Sequence, residues 1–253
     1  MRKQIFYIVW MSCVGMGMLP GCKEEQKLEQ PPAETPSEGT GEIVYLDGYA
    51  RPDGVLILNQ GARAIENSSI TYLAPDGTVE EGVYRKVNGT ALGNEVQDMW
   101  MYNGKLYILS DGMYAPNGEE GDGVLVVADA VTLKREKAYK LDDLKFKRPE
   151  GSKDEDELIS LSIPFENIAV LDEKNIFFSE GQGFFRFDST TGEVNVVEGA
   201  FHFGNQGNTV EKVASTRGIL RVGDCLYCGG GGFWESTRLL EISKGMTLLS
   251  NKS

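Results

Sequence analysis

The sequence predicts an all-β protein, a β-propeller with about four blades visible and the ring incomplete. Three observations point there. Gly is abundant at 31 and Pro modest at 9 in 253 residues, which suits tight hairpins because their turn residues take positive φ. Long helical periodicity is missing, and short apolar runs recur between turn residues instead. These runs also repeat as a unit: with Leu56, Leu106, Ile176 and Leu226 as anchors, the spacings are 50, 70 and 50 residues, a period that suits propeller blades of four antiparallel strands.

The first unit holds the turn Pro52-Asp53-Gly54, the strand Val55 to Leu58, a Gly/Asn-bearing loop, the strand Ile70 to Leu73 and the turn Ala74 to Thr78. In the second, Met99 to Met101 leads into Asn103-Gly104, a dipeptide that favours the type I′ hairpin turn. Leu106 to Leu109, a long loop, and Val124 to Val127 follow. The third runs through Ile168 to Leu171, Ile176 to Phe178, Phe184 to Phe187 and the turn Asp188 to Gly192. The fourth has Ile219 to Val222, Leu226-Tyr227, Gly229 to Gly232 and Leu239 to Ile242. A weaker outer strand is expected at Val83-Tyr84, Ala138-Tyr139 and Val194 to Val197 in the first three units. The fourth reaches Leu248-Leu249 and stops, so its outer strand is expected to stay unmade unless Ile43 to Leu46 completes it. Four blades are few for a closed ring, so the expectation is either a truncated propeller or an open array whose edges need a partner, because unpaired edges recruit other strands.

The N-terminus has its own logic. Arg2 and Lys3 precede an uncharged run from Ile5 to Leu19, which ends at Leu19-Pro20-Gly21-Cys22. A charged start, an apolar stretch too short to span a bilayer, and a small residue before cysteine make an export signal. The arrangement resembles the lipobox of bacterial lipoproteins, which implies lipidation of Cys22 and cleavage before it. Residues 1–21 are therefore expected to be the signal, 22–41 the lipidated cysteine and a disordered tether too poor in apolar residues to offset its ordering entropy, and 42–253 the repeat domain. Lys23-Glu24-Glu25 is similar to the export signal that sends Bacteroidetes lipoproteins to the cell surface, so the implied location is the outer membrane, surface-exposed.

Charge narrows the partners. The formal net charge is −13, and −15 once Arg2 and Lys3 leave with the signal. Such a field repels phosphate, which argues against nucleic acid and anionic headgroups as partners of the domain. Of the four cysteines only Cys225 and Cys228 fall in the domain. Their spacing is that of a redox pair or half a zinc site, but no second ligand pair accompanies it, and two small apolar residues in a strand explain them better.

Val55 to Gly61, the Tyr72 to Gly77 turn, and Asn88 to Gly93 leading to Gln97-Asp98-Met99 and Lys105 to Ile108 together resemble the YncE-like propeller lipoproteins of Bacteroidetes. The resemblance covers roughly 48–242 and implies a surface lipoprotein. Its better understood relatives sit over TonB-dependent transporters, and one of them captures vitamin B12. Those relatives are usually seven-bladed, which this chain departs from, and no B12-contacting residue is matched by motif.

Several clusters are weighed for chemistry. His202 is the lone histidine, so neither a His-rich metal site nor a Ser-His-Asp triad is expected. Asp154 to Glu157 lacks the alternating ligands and Gly of a calcium loop. Asp122, between two glycines, reads as a turn. Gly229 to Gly232 precedes no helix, which makes it a bend rather than a phosphate cradle. Asp188-Ser189-Thr190 is similar to the Bacteroidetes O-glycosylation tripeptide, and a hairpin turn explains it equally well. Phe233-Trp234 and Tyr114, the latter in the 110–123 loop, are the candidate ligand-binding residues: a flat aromatic platform on one end of the repeats suits an apolar ligand, although aromatics packed between blades would look the same.

The expected function is that of a non-enzymatic, surface-anchored binding module without a cofactor, which captures a small nutrient such as a corrinoid for a TonB-dependent transporter. The alternatives are a protein-interaction scaffold or adhesin, and a propeller enzyme of the lyase or dehydrogenase kind, which the single histidine disfavours.

Overall fold

A computed structural model describes residues 47–148, 157–161, 163–180, 183–201, 218–230, 238–244 and 250–251. The chain divides into two units, Met1–Gly39 and Thr40–Ser253, and every described residue lies in the second. The proposed signal, Cys22, the tether and Ile43 to Leu46 fall outside the described residues. So do His202, Phe233, Trp234 and Asp154 to Asp156.

The described fold is all-β apart from one short α-helix and three 3-10 turns. The strands are β1 (Val55–Asn59), β2 (Ser69–Leu73), β3 (Val79–Glu80), β4 (Val96–Tyr102), β5 (Lys105–Ser110), β6 (Leu125–Asp129), β7 (Arg135–Tyr139), β8 (Lys145–Lys147), β9 (Leu158–Ser160), β10 (Phe165–Asp172), β11 (Asn175–Glu180), β12 (Gly183–Asp188), β13 (Glu193–Phe201), β14 (Ile219–Val222), β15 (Cys225–Gly230), β16 (Arg238–Ser243) and β17 (Ser250–Asn251), with α1 (Val83–Asn88) after β3. They form four antiparallel sheets in chain order, β1-β2-β3, β4-β5-β6-β7, β10-β11-β12-β13 and β14-β15-β16-β17, and a small pair β8-β9. The pair accounts for the 70-residue spacing, because it is inserted between the second and third sheets. No helix among the described residues is long and apolar enough to cross a membrane.

Turn chemistry placed most strands where the sequence pattern put them. Asn103 and Gly104 take φ of 45° and 76°, the two positive values that a type I′ turn needs, and they join β4 to β5. Asp129 and Asp188 start equivalent turns further along: each carboxylate accepts the backbone N–H and hydroxyl of a downstream threonine, Thr132 and Thr190. The side chain thereby holds its own turn closed.

Three expectations are corrected. The outer strand of the first sheet is Val79–Glu80, and Val83-Tyr84 instead open α1, which runs between Gly82 and Gly89 at φ of 61° and 73°. Both side chains are buried in the same apolar cluster, which one face of a helix allows and the alternation of a strand does not. The fourth sheet makes its own outer strand: Ser250 and Asn251 pair with Glu241 and Leu240. The Leu56 anchor is one residue out of register. Leu106, Ile176 and Leu226 pack toward the preceding sheet, whereas Leu56 packs toward the following one. Its neighbour Val55 is therefore the structural equivalent. A one-residue slip reverses which face a side chain serves.

The sheets stack face to face through three apolar clusters. Ile70 and Tyr72 of the first meet Leu106, Ile108 and Val126 of the second. Tyr107, Leu109 and Val127 meet Ile168, Ile176, Phe178 and Phe185 of the third. Ala169, Phe177 and Phe184 meet Leu226, Cys228 and Ile242 of the fourth. In the third sheet β11 is buried on both faces, with Phe177 stacked on Phe184 and Phe178 on Phe185 at centroid separations of 5.8 and 6.0 Å. Full burial of each such ring contributes about 1.5–3 kcal/mol.

Candidate functional site

The loop between β5 and β6, residues 111–124, is the longest described connection within any of the four sheets. It leaves Ser110 and returns at Val124, whose backbone N–H is bound to the Tyr139 carbonyl at the end of β7. Its path crosses the backbone of residues 92–93, and the crossing needs glycine at Gly121, where a Cβ would strike the Leu92 carbonyl, and at Gly123, where it would strike that of Tyr139.

Tyr114 stands on this loop, half-buried, and lines a cavity of about 410 Å³ together with Met113, Val124, Leu141, Glu120 and Lys140. One wall is apolar. At the rim Lys140 Nζ pairs with Glu120 Oε2 at 2.7 Å, and the contact raises the lysine pKa and lowers that of the glutamate. Both side chains are exposed, so the pair opens at little cost. The ring face of Tyr114 is not bare. The Arg63 guanidinium lies 5.5 Å from its centroid, a cation–π contact, and also reaches Glu95 at 3.4 Å. Arg63 belongs to the β1–β2 loop, which occupies the same position in its sheet as the 111–124 loop does in the next. Phe233 and Trp234 fall in the β15–β16 connection, again the corresponding loop, and their own placement lies outside the described residues.

A second, smaller cavity of about 220 Å³ opens between the β1–β2 loop and α1, lined by Asn67, Ser69, Tyr84, Arg85 and Glu119. Arg85 grips Glu119 with two hydrogen bonds of 2.7 and 2.6 Å, which lowers the glutamate pKa and raises that of the arginine.

Asp122 does more than turn the chain. Its carboxylate is nearly fully buried, accepts the Tyr84 hydroxyl at 2.6 Å and the Thr90 hydroxyl at 3.0 Å, and pairs with Arg135. One side chain thus ties α1, the cavity loop and β7 together, and burial is the main reason the Tyr84 hydroxyl is held far above its ordinary pKa. Spacing alone could not reveal this, because the three partners are 38, 32 and 13 residues away.

The remaining sequence candidates resolve into structure. Cys225 and Cys228 are three apart on one strand, and strand alternation sends them to opposite faces. Cys225 Sγ lies 3.5 Å from the Ser243 hydroxyl, and burial pushes the Cys228 thiol up to about 11. The Ser189 hydroxyl of the Asp-Ser-Thr turn is buried and donates to the Glu173 carbonyl at 2.9 Å. Among the described residues no three His, Cys, Asp or Glu side chains converge as a metal site would require.

A protein-family model described as "Domain of unknown function (DUF5074)" matches residues 53–224. Among solved structures, the computationally designed protein Ika8 is 11% identical, with 76% of this chain and 46% of that chain covered at a TM-score of 0.36. The extracellular domain of a B. thetaiotaomicron protein is 10% identical, with 79% and 22% covered at 0.36. The apo isopeptidase AtxE2 is 11% identical, with 78% and 38% covered at 0.25. The chain thus spans less than half the length of each of these structures. No curated protein sequence matches it.

Proposed function

The chain belongs to the DUF5074 family, and from that premise we propose that it is a surface-anchored, non-enzymatic binding module. Its sheets form blades of a YncE-like β-propeller, and an acylated Cys22 holds it to the outer membrane. The module takes a small, partly apolar nutrient, of which a corrinoid is one example, and presents it to a TonB-dependent transporter. What carries the reading is the cavity at Tyr114. Its volume of about 410 Å³ falls within the range of roughly 300–1,000 Å³ found for small-molecule pockets, and its lining sets apolar side chains beside a few charged groups that can orient a ligand. The Lys140–Glu120 pair at the mouth can open to meet polar groups on a ligand, and Arg63 can leave the Tyr114 ring for an apolar face.

Titration calorimetry of the full chain in detergent with cobalamin, and separately with siderophores, tests this. Binding gives heat with a negative heat-capacity change, and Tyr114→Ala weakens it at least tenfold while the fold stays intact. Flat traces with every probe, or binding that Tyr114→Ala leaves unchanged, overturn the site.

A further inference from the structure

The cavity of about 220 Å³ between the β1–β2 loop and α1 shares no lining residue with the one at Tyr114, although both lie against the 111–124 loop. Side chains hold its walls in place. Asn94 Nδ2 donates to the Glu66 carbonyl at 2.9 Å, Ser68 Oγ to the Gln60 carbonyl at 2.6 Å, and Asn67 Nδ2 to the Glu119 carbonyl at 3.1 Å. On the α1 side Asp122 fixes Tyr84, and Arg85 holds both carboxylate oxygens of Glu119. Three separate segments of chain are thus tied together before anything enters. A pocket built this way loses little freedom when a ligand binds.

Its lining is chiefly polar. Asn67 and Ser69 bring an amide and a hydroxyl, the Arg85–Glu119 pair sets guanidinium N–H groups beside carboxylate oxygens, and Leu92 and Pro116 add a small apolar patch. Asn67 Oδ1 is buried with no partner, a deficit that a donor in the cavity relieves after a small turn of the amide. Charge is nearly balanced, because Arg85 and Glu119 offset each other and leave Glu66, in a chain of net charge −13. An anion is repelled there, and an ammonium group finds the Glu119 carboxylate already taken by Arg85. The volume lies below the roughly 300–1,000 Å³ of pockets that take drug-sized ligands, yet far above the ~10–15 Å³ that one water needs. The geometry points to a second binding site, independent of the Tyr114 cavity, for a single neutral sugar ring. Each hydroxyl of such a ring both donates and accepts, which suits donors and acceptors set side by side, and its C–H groups meet Leu92 and Pro116.

Saturation-transfer NMR titrations of the full chain in detergent test the site, with glucose, galactose and mannose as probes and with lactose and maltose beside them. At least one of these neutral sugars binds, Arg85→Ala weakens it at least tenfold, and Tyr114→Ala leaves it unchanged. The Arg85 side chain is half exposed, so its loss spares the fold, and circular dichroism checks this. Should the sheet signal fall, Glu119→Gln takes its place, since it breaks the charge pair at constant size. Tighter binding of a disaccharide assigns the site to the end unit of a glycan, and equal or weaker binding assigns it to the free sugar. Glucosamine and glucuronate, the charged counterparts of glucose, bind more weakly than glucose itself. Silence from every neutral sugar, preference for either charged one, binding that both Arg85→Ala and Glu119→Gln leave intact, or binding that Tyr114→Ala abolishes overturns the assignment.

Discussion

The Asp111 carboxylate accepts the backbone N–H of Phe165 at 2.8 Å, and so links the end of β5 in the second sheet to the start of β10 in the third. Asp98 does the same one strand away, where its Oδ2 accepts the Ile168 N–H at 3.0 Å. Sheets that meet through apolar side chains alone slide easily in register, and these two carboxylates pin the junction by binding particular backbone donors. Replacing Asp111 with Ala leaves the buried Phe165 N–H without a partner and costs about 1–3 kcal/mol. Asp111→Asn, which keeps an acceptor oxygen, costs clearly less. Urea unfolding followed by tryptophan fluorescence separates the two, and equal losses would refute the staple.

Burial raises the pKa of both Asp98 and Asp111, desolvation being the leading cause in each case. The folded state therefore holds its protons more tightly than the unfolded chain does. The resulting stability is fully present below the unfolded Asp value of about 3.9, and it is lost as pH rises through the raised folded values. The Asp98→Asn, Asp111→Asn double variant should accordingly lose less stability than the wild-type chain between pH 4 and 7. Denaturation midpoints measured across that window give the answer, and identical slopes would exclude these two groups as its source.

Asp122 anchors α1 to the cavity loop through Tyr84, Thr90 and Arg135. Asp122→Ala removes hydrogen bonds to a buried charge and should cost about 1.5–3 kcal/mol. Hydrogen exchange shows where: the backbone amides of residues 86–89 lose protection, while those of β11, buried on both faces, keep theirs. Uniform loss over the whole domain would mean that Asp122 supports the fold globally rather than this one junction.

The thiolate is the reactive form of cysteine, and burial holds the Cys228 thiol up near 11. Alkylation of the folded chain at pH 8, mapped by peptide mass, should therefore modify half-buried Cys225 well before Cys228. Matching rates would show that β15 opens readily from the third sheet.

Phe178 packs between the second and third sheets, where Phe165 meets it edge-on and Phe185 stacks against it. Phe178→Ala leaves a cavity and should cost about 3–5 kcal/mol. A calorimetric melt measures the loss, and a cost under about 1 kcal/mol would mean that the neighbouring rings close the gap.

Much of this protein could be read from turns. Asn103-Gly104 and the Asp-to-Thr turns at Asp129 and Asp188 are local devices, so neighbouring residues suffice to reveal them, and the strands they join follow. Tyr114 was legible as an aromatic on a long loop. Its Arg63 partner was not, because the two are 51 residues apart and meet only when the first two sheets stack. The role of Asp122 was hidden for the same reason.

By itself the sequence determined an all-β chain of repeated hairpin units, since strand period and turn residues act over a few positions and need no tertiary partner. Tertiary structure alone decided which face each strand buries, that Val83-Tyr84 coil into a helix, that Ser250-Asn251 close the last sheet, and that a cavity opens beside Tyr114. Each of those depends on what lies opposite in space. A shift of one residue in β1, invisible in composition or spacing, exchanges its core face for its exposed face.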